Sequence, residues 1–411
     1  MQQIRVYPAT GPQVDVWAAN TTHEAVQTAI DDATSGQTVG VPAGSATWTT
    51  QVSIPDTKGI TLQGAGVGQT IITSGLTSDS TLLVAVNPAN PVTRVTGITF
   101  DGDLLAKEGD YAEIWVAGYG LASFRIDHCH FDNLRTRGIH TNPLGRQFSG
   151  VIDHNTFTAP GNYNSQAIAV TGDIPMQEDP PTGPQGCRPF ARAVALGGAE
   201  AVFIENNTFA YAYPNDGFLD SYGGARWVFR YNGVHGCSGG CHGADSGGYR
   251  GIRSFEVYEN TFDKTGDAQW LCLYFRSGVG VVYNNTATGN YNAFCWLNNY
   301  RSNVDDPWPE YNPWGACDGT KAWDGNGVGT EGYPGLDQVG TAFTDTLNGT
   351  HTHEPIYAWS NTLGGNPVGI AVHPSGSTRL LTLHVLEDRD FYNDTERPGY
   401  TAYTYPHPLV T

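Results

Sequence analysis

A six-residue phrase, apolar-x-x-Asn-x-apolar, recurs through the middle of the chain about once every 25 to 28 residues. Its copies run from Ile152 to Phe157, Ile204 to Phe209, Phe229 to Val234, Val257 to Phe262 and Val282 to Ala287, with Asn155, Asn207, Asn232, Asn260 and Asn285 at the fixed position. Ile126 to Phe131 is a further copy carrying Cys129 in place of Asn. Self-similarity at a period of this size means one structural unit per repeat, each stacked on its neighbours. The chain is therefore a solenoid.

The residue types narrow the choice. Asn tolerates the left-handed backbone better than most residues, so the spacing predicts an Asn in a tight turn once per coil. Stacked Asn side chains can also hydrogen-bond along their column. The flanking runs, such as Trp227 to Tyr231 and Phe255 to Tyr258, are short, β-rich and alternate at period two. Nothing between copies reads as a helix of 10 to 15 residues, which argues against βαβ units. The predicted fold is all-β, a parallel β-helix.

Composition agrees with many tight turns joined by short half-buried strands: 52 Gly, 24 Pro and only 15% charged residues. The hydrophobic fraction of 39% argues against a disordered chain. A formal net charge of −19 argues against nucleic acid or anionic membrane as partner. Residues 125–276 nevertheless hold 11 of the arginines, so positive charge gathers in the repeat coils. No apolar run is long enough to span a membrane. Cys237 and Cys241 are spaced to close a small loop disulfide, and Cys272 and Cys295, about one coil apart, are candidates to pair between rungs.

Residues 1–300 are expected to form the solenoid and residues 301–411 its loop-rich final coils and C-terminal cap, in the same domain. A helix over about Thr22 to Ala33, with Ala25, Val26 and Ile30 on one face, is the expected N-terminal cap. The segments Val39-Gly40-Val41-Pro42-Ala43-Gly44 and Ile60-Thr61-Leu62-Gln63-Gly64-Ala65-Gly66, with the later Asn coils, resemble the pectate-lyase-like right-handed parallel β-helix superfamily over roughly residues 22–290. That resemblance implies a right-handed coil and a bacterial secreted, carbohydrate-active protein. It does not imply one reaction, because the superfamily holds lyases, hydrolases, esterases and tailspikes. Ile126-Asp127-His128 and Ile152-Asp153-His154 are similar to its Trp-Ile-Asp-His phrase, but the Trp is missing and the phrase sits in the Asn-turn register. Its calcium role is therefore not carried over. Pro189-Phe190-Ala191-Arg192 resembles part of an Arg-x-Pro-x-x-Arg lyase motif with Cys187 where the first Arg would stand, which leaves pectate in doubt as substrate.

Residues at one phase of successive coils stand about 4.8 Å apart. Counting back from each Asn aligns the preceding strands: Asp220 and Tyr222 from Asn232, Arg250 from Asn260, and Tyr274 and Arg276 from Asn285. The glycine-rich run from His235 to Asp245, with His242 inside it, has almost nothing apolar to bury. Asp220, His242, Asp245, Arg250, Tyr274 and Arg276 are thus the candidate catalytic residues, and Asp216, Tyr222, His235, Tyr249 and Trp296 the candidate substrate-binding residues. Arg230, Arg253 and Glu256 read as structural ion pairs, and His128 and His154 as turn residues.

Two chemistries suit the cluster. In β-elimination from a uronate, Arg250 and Arg276 would neutralise the carboxylate, His242 or Tyr274 would take the C5 proton, and Asp220 or Asp245 would orient the base or hold Ca²⁺. Hydrolysis would instead use two carboxyl groups among Asp216, Asp220 and Asp245 across the glycosidic bond. The arginine excess favours the lyase. The third expectation is a non-catalytic adhesin or tailspike-like protein. No metal ligands stand out, and the expected partner is a polysaccharide or oligosaccharide, met by a monomer outside the cell or at its surface.

Overall fold

The computed structural model describes residues 13–161, 166–172, 194–243, 251–298, 337–343, 351–373 and 385–410, and the backbone alone at 144–146, 213–216, 342–343 and 351–352. The chain is a right-handed parallel β-helix in which nearly every strand pairs in parallel with its counterpart one coil away. Each coil passes through three sheets. The first includes Val202–Glu205, Arg226–Arg230, Ser254–Tyr258 and Val279–Tyr283. An Asn turn leads from it to the second, which includes His130–Asp132 and Thr156–Ala159. The third includes Gln166–Thr171 and the last residues of the long strands Thr208–Tyr222, Gly233–Cys241 and Thr261–Phe275.

Period-two alternation places one side of every sheet inside. Phe100, Phe131, Phe157 and Phe209 are fully buried and stack ring on ring at 5.5, 4.8 and 5.0 Å up the second sheet. Ile126, Ile152, Ile204 and Phe229 do the same work in the first. At about 1.5–3 kcal/mol per large buried apolar side chain, these columns supply the main driving force for stacking. The helix His23–Asp32 closes the N-terminal end, capped by Thr22, whose hydroxyl accepts from the Ala25 amide. Its buried face is Val26, Ala29 and Ile30, so Ala29 takes the place expected for Ala25.

The Asn column forms a continuous ladder. Asn155 donates to the Asn207 side-chain oxygen (3.1 Å), Asn207 to Asn232 (3.1 Å), Asn232 to Asn260 (3.1 Å), Asn260 to Asn285 (2.9 Å) and Asn285 to Asn361 (2.9 Å). Each oxygen also accepts the backbone N–H of the Asn one coil before it. The expectation of a left-handed Asn is corrected. Positive φ belongs to the preceding residue in every coil: His154 (55°), Asn206 (57°), Tyr231 (56°), Glu259 (58°), Asn284 (51°) and Ser360 (54°). Asn is therefore kept for its amide, which offers donor and acceptor together. His128 (φ 51°) and His154 are turn residues as read from the sequence.

The first sheet carries its charges outward and pairs them along the axis. Arg94 grips Asp127 through two bonds of 2.7 and 2.6 Å, and Arg125 grips Asp153 at 2.9 and 2.8 Å. Burial pushes Asp127 up, but the Arg94 bond and its neighbours prevail and hold it at about 2. Arg230 pairs with Glu205 and Arg253 with Glu354 as expected, whereas Glu256 accepts from the Tyr400 hydroxyl and the Gly197 amide and forms no ion pair among the described residues. The C-terminal segment lies along this sheet. Arg230 donates to the Tyr403 and Thr404 carbonyls, Arg125 to the Leu409 carbonyl, and the His407 amide donates to Glu205. Ala402, Tyr403, Leu409 and Val410 pack on Phe203, Val228 and Tyr258.

All five described cysteines are buried thiols, which overturns both expected bridges. Cys237 and Cys241 belong to one extended strand, Gly233–Cys241, not to a loop. Four steps of extended chain separate them by about 13 Å, far beyond disulfide reach. Cys295 pairs in register with Leu273, so Cys272 is one position out of phase with it.

Candidate active site

The third sheet assembles the candidates on its outer side. In register up the axis stand Trp115, His140, Ala169 and Asp220. Leu219 pairs with Gly239 and the Ser221 hydroxyl donates to the Gly240 carbonyl, so Gly240 follows Asp220. Tyr274, Trp296 and Ala371 continue the column. The alternate positions, Ile114, Ile139, Ile168, Leu219, Leu273 and Cys295, are core, which is what turns the named column outward. Two residues further along each strand lies a second outer column of Thr171, Tyr222, His242 and Arg276, with the His242 amide donating to the Ser221 carbonyl.

Sequence counting thus brings Asp220, Tyr222, Tyr274 and Arg276 together as expected, while the coil between them differs. Gly240 and His242 hold the place assigned to Arg250. The count fails there because Gly240 lies 20 residues before Asn260, where Asp220 lies only 12 before Asn232. Arg250, Asp245 and Tyr249 lie outside the described residues, as does the side chain of Asp216. His235 is placed apart, on the second sheet beside Asp263, with which it pairs. Gly240 is required by proximity: a Cβ there would come within 1.7 Å of the Tyr274 carbonyl oxygen.

At the centre is a carboxylate–imidazole pair. Asp220, 2% exposed, accepts from His242 Nδ1 at 2.8 Å, from the Ser221 amide at 2.8 Å and from Gln166 Nε2 at 2.7 Å. Burial alone would raise the Asp220 pKa, but the His242 charge and hydrogen bond, the charge of Arg137 and the Ser221 amide outweigh it and hold it below the usual range. An ionised, acceptor-only Asp220 requires a proton on His242 Nδ1. His242 is 31% exposed, and with the proton on Nδ1 its neutral ring carries its acceptor lone pair on Nε2. Tyr222 meets the imidazole edge-on at 6.3 Å.

Sequence reasoning missed the layer behind this pair. Arg137 Nε donates to the Gln166 side-chain oxygen at 2.9 Å, and its Nη1 lies 2.7 Å from Asp110, to which the Tyr222 hydroxyl also points at 3.4 Å. His140 donates from Nδ1 to the Asp110 carbonyl at 2.8 Å, and its buried Nε2 has no partner among the described residues. Burial and the nearby Arg137 charge lower His140 to about 4. Gln166, His140, Arg137 and Asp110 lie 54 to 110 residues before Asp220 in sequence, so no single coil spacing reveals them. Aromatic rings flank both ends of the column: Trp115 lies 4.6 Å from His140 at one end, and Trp296 lies 5.4 Å from Trp270 and 4.3 Å from His373 at the other.

Of the two residues considered for calcium, Asp220 accepts three hydrogen bonds and Asp245 lies outside the described residues. No group of three or more potential metal ligands occurs among the described residues. Asp127 and Asp153, in the phrase similar to the calcium-binding one, are likewise occupied by arginine.

Fold and site together define a parallel β-helix with a histidine–carboxylate pair on an aromatic-flanked outer face. No family model matches the chain, and no curated protein matches it. Among solved structures, it is similar to an alginate lyase from Paenibacillus sp. str. FPU-7, with TM-score 0.35 and 12% identity over 69% of this chain and 99% of that one. It is also similar to the ORF18 protein of Geobacillus virus E2, with TM-score 0.35 and 15% identity over 68% of this chain, and spans only 59% of that protein's length. A third similar structure is the catalytic domain of a GH87 alpha-1,3-glucanase solved with tetrasaccharides, with TM-score 0.35 and 12% identity over 95% of this chain and 70% of that domain. Likeness at this level carries no argument about the reaction.

Proposed function

We propose that the protein is a polysaccharide lyase that cleaves a uronate-containing glycan by β-elimination, acting as a monomer outside the cell or at its surface. The observation that carries this reading is the His242–Asp220 pair, with tyrosine and arginine within one coil on either side. His242 Nε2 takes the C5 proton, and the Asp220 carboxylate stabilises the imidazolium that results. Arg276, beside His242 in the next coil, neutralises the uronate carboxylate and so acidifies that proton. The C5–H electrons form the C4–C5 double bond, the C4–O bond breaks, and a phenol from Tyr222 or Tyr274 protonates the departing oxygen. Trp115, Trp270 and Trp296 offer ring faces to neighbouring sugars.

Hydrolysis is the second reading. It needs one carboxylic acid with a raised pKa; of its three candidates Asp220 is held ionised, and the side chains of Asp216 and Asp245 lie outside the described residues.

The test is a panel of uronate-containing and neutral glycans, followed both by the ultraviolet absorbance of an unsaturated uronate and by reducing ends. Absorbance growth is expected, unchanged by EDTA. Reducing ends without absorbance would establish hydrolysis, and silence on every glycan would favour binding alone. Asp220→Asn should lower kcat by about 10⁴-fold, the size of effect a wrong imidazole tautomer produces in a serine-protease triad, while His242→Ala should abolish turnover. Near-normal activity in both variants would sink the assignment.

A further inference from the structure

We infer that Gln166 is a positioning residue for the proposed base: its amide locks Asp220 and thereby holds His242 in the Nδ1–H tautomer. The inference deepens the lyase reading and rests on it for its catalytic consequence, though not for its geometry.

Arginine can only donate and an ionised carboxylate can only accept. Gln166 lies between one of each, with Arg137 Nε 2.9 Å from its oxygen and Asp220 Oδ2 2.7 Å from its nitrogen. The amide therefore has one permitted orientation. Arg137 is itself fixed by Asp110 at 2.7 Å and by the Gly109 carbonyl at 3.1 Å. The line Asp110, Arg137, Gln166, Asp220, His242 thus crosses the third sheet as alternating donors and acceptors, and the Tyr222 hydroxyl at Asp110 leads back towards the His242 ring.

The neutral amide does something a direct ion pair would not. Arg137 in contact with Asp220 would take up the carboxylate charge that His242 needs when it accepts a proton. With Gln166 between them, Asp220 gains a fixed donor on Oδ2 while Oδ1 remains directed at His242 and the Ser221 amide. Asp220 cannot then rotate without losing three hydrogen bonds, so the imidazole keeps both its tautomer and its angle. The sequence gives no hint of this role, because Gln166 is 54 residues from Asp220.

The experiment pairs histidine side-chain ¹⁵N NMR on the full chain with steady-state kinetics. In the wild type, neutral His242 should show a protonated Nδ1 and a bare Nε2; an Nε2–H tautomer there would overturn the proposal at once. Gln166→Met, of similar shape but without donor or acceptor, should give mixed tautomers and a kcat lower by about tenfold to a hundredfold with KM unchanged, the worth of a hydrogen bond to a charged group. Gln166→Glu keeps the acceptor for Arg137 but sets a second carboxylate against Asp220, and should be at least as impaired. It serves as the second variant if the Met form does not fold. A single Nδ1–H tautomer with wild-type kcat in either folded variant would refute the role. A wild type inactive on every glycan whose His242 tautomer still responds to Gln166 would remove the lyase reading and leave the positioning role standing.

Discussion

Replacing Asn232 tests what the ladder does, because two explanations of the recurring Asn predict opposite results. Asn232 accepts the Asn207 backbone N–H at 2.9 Å and its side-chain NH₂ at 3.1 Å, and donates to the Ile204 and Arg230 carbonyls (2.9 Å each) and to Asn260 (3.1 Å). In Asn232→Ala the Asn207 side chain keeps the Ile152 and Glu205 carbonyls, whereas its backbone N–H is stranded inside the coil. A stranded buried donor costs about 1–3 kcal/mol, and each remaining lost bond about 0.5–1.5 kcal/mol. The expected destabilisation is about 3–7 kcal/mol, concentrated on the rungs either side. If the Asn were instead needed for a left-handed turn, Asn232→Gly would be tolerated or stabilising. Since the left-handed residue is Tyr231, Asn232→Gly should be at least as damaging as Ala. Denaturant midpoints by circular dichroism measure the loss, and hydrogen exchange at the Asn207 amide localises it. Near-wild-type stability in the Gly variant would refute the ladder argument.

Three further outcomes are expected. His140 is lowered from 6.5 to about 4 by burial and Arg137, so the unfolded chain binds its proton first; the stability present above pH 6.5 is lost as pH falls towards 4, by up to about 3 kcal/mol, and a midpoint-against-pH curve should flatten in that window in His140→Phe. Gly240→Ala drives a Cβ into the Tyr274 carbonyl and should cost about 1–3 kcal/mol together with most activity, read by melting and by the glycan assay. Arg230→Met leaves Glu205 buried without its guanidinium and removes the donor to Tyr403 and Thr404; a loss of about 3–5 kcal/mol and faster proteolysis of the C-terminal segment are expected.

The architecture was legible because a solenoid writes its period into the sequence: Ile152, Ile204, Phe229 and Val257 recur at one phase of the phrase and occupy one buried column. The same phrase misled about its own Asn, since tolerance of positive φ and the capacity to bridge rungs both favour that residue. Only the backbone separates them, and it assigns the turn to residues as different as His154, Tyr231, Glu259 and Ser360. Their variety was the available clue, because a ladder position needs one side chain whereas an exposed turn with the ladder behind it accepts many.

The site was legible only where coils are short. Asp220, Tyr222, Tyr274 and Arg276 lie 9 to 12 residues before an Asn, and the third sheet aligns them. Gly240 and His242 escape the count because their coil is longer, and Arg137 and Gln166 because they lie 18 and 41 residues before the next Asn of the column. Solenoids tolerate unequal coil lengths since each coil needs only its own strands to stay in register with the next. The sequence thus named both members of the Asp220–His242 pair, Asp220 by its count from Asn232 and His242 from its glycine-rich run, and register sets their contact: they are 22 residues apart in sequence and 2.8 Å apart in the fold.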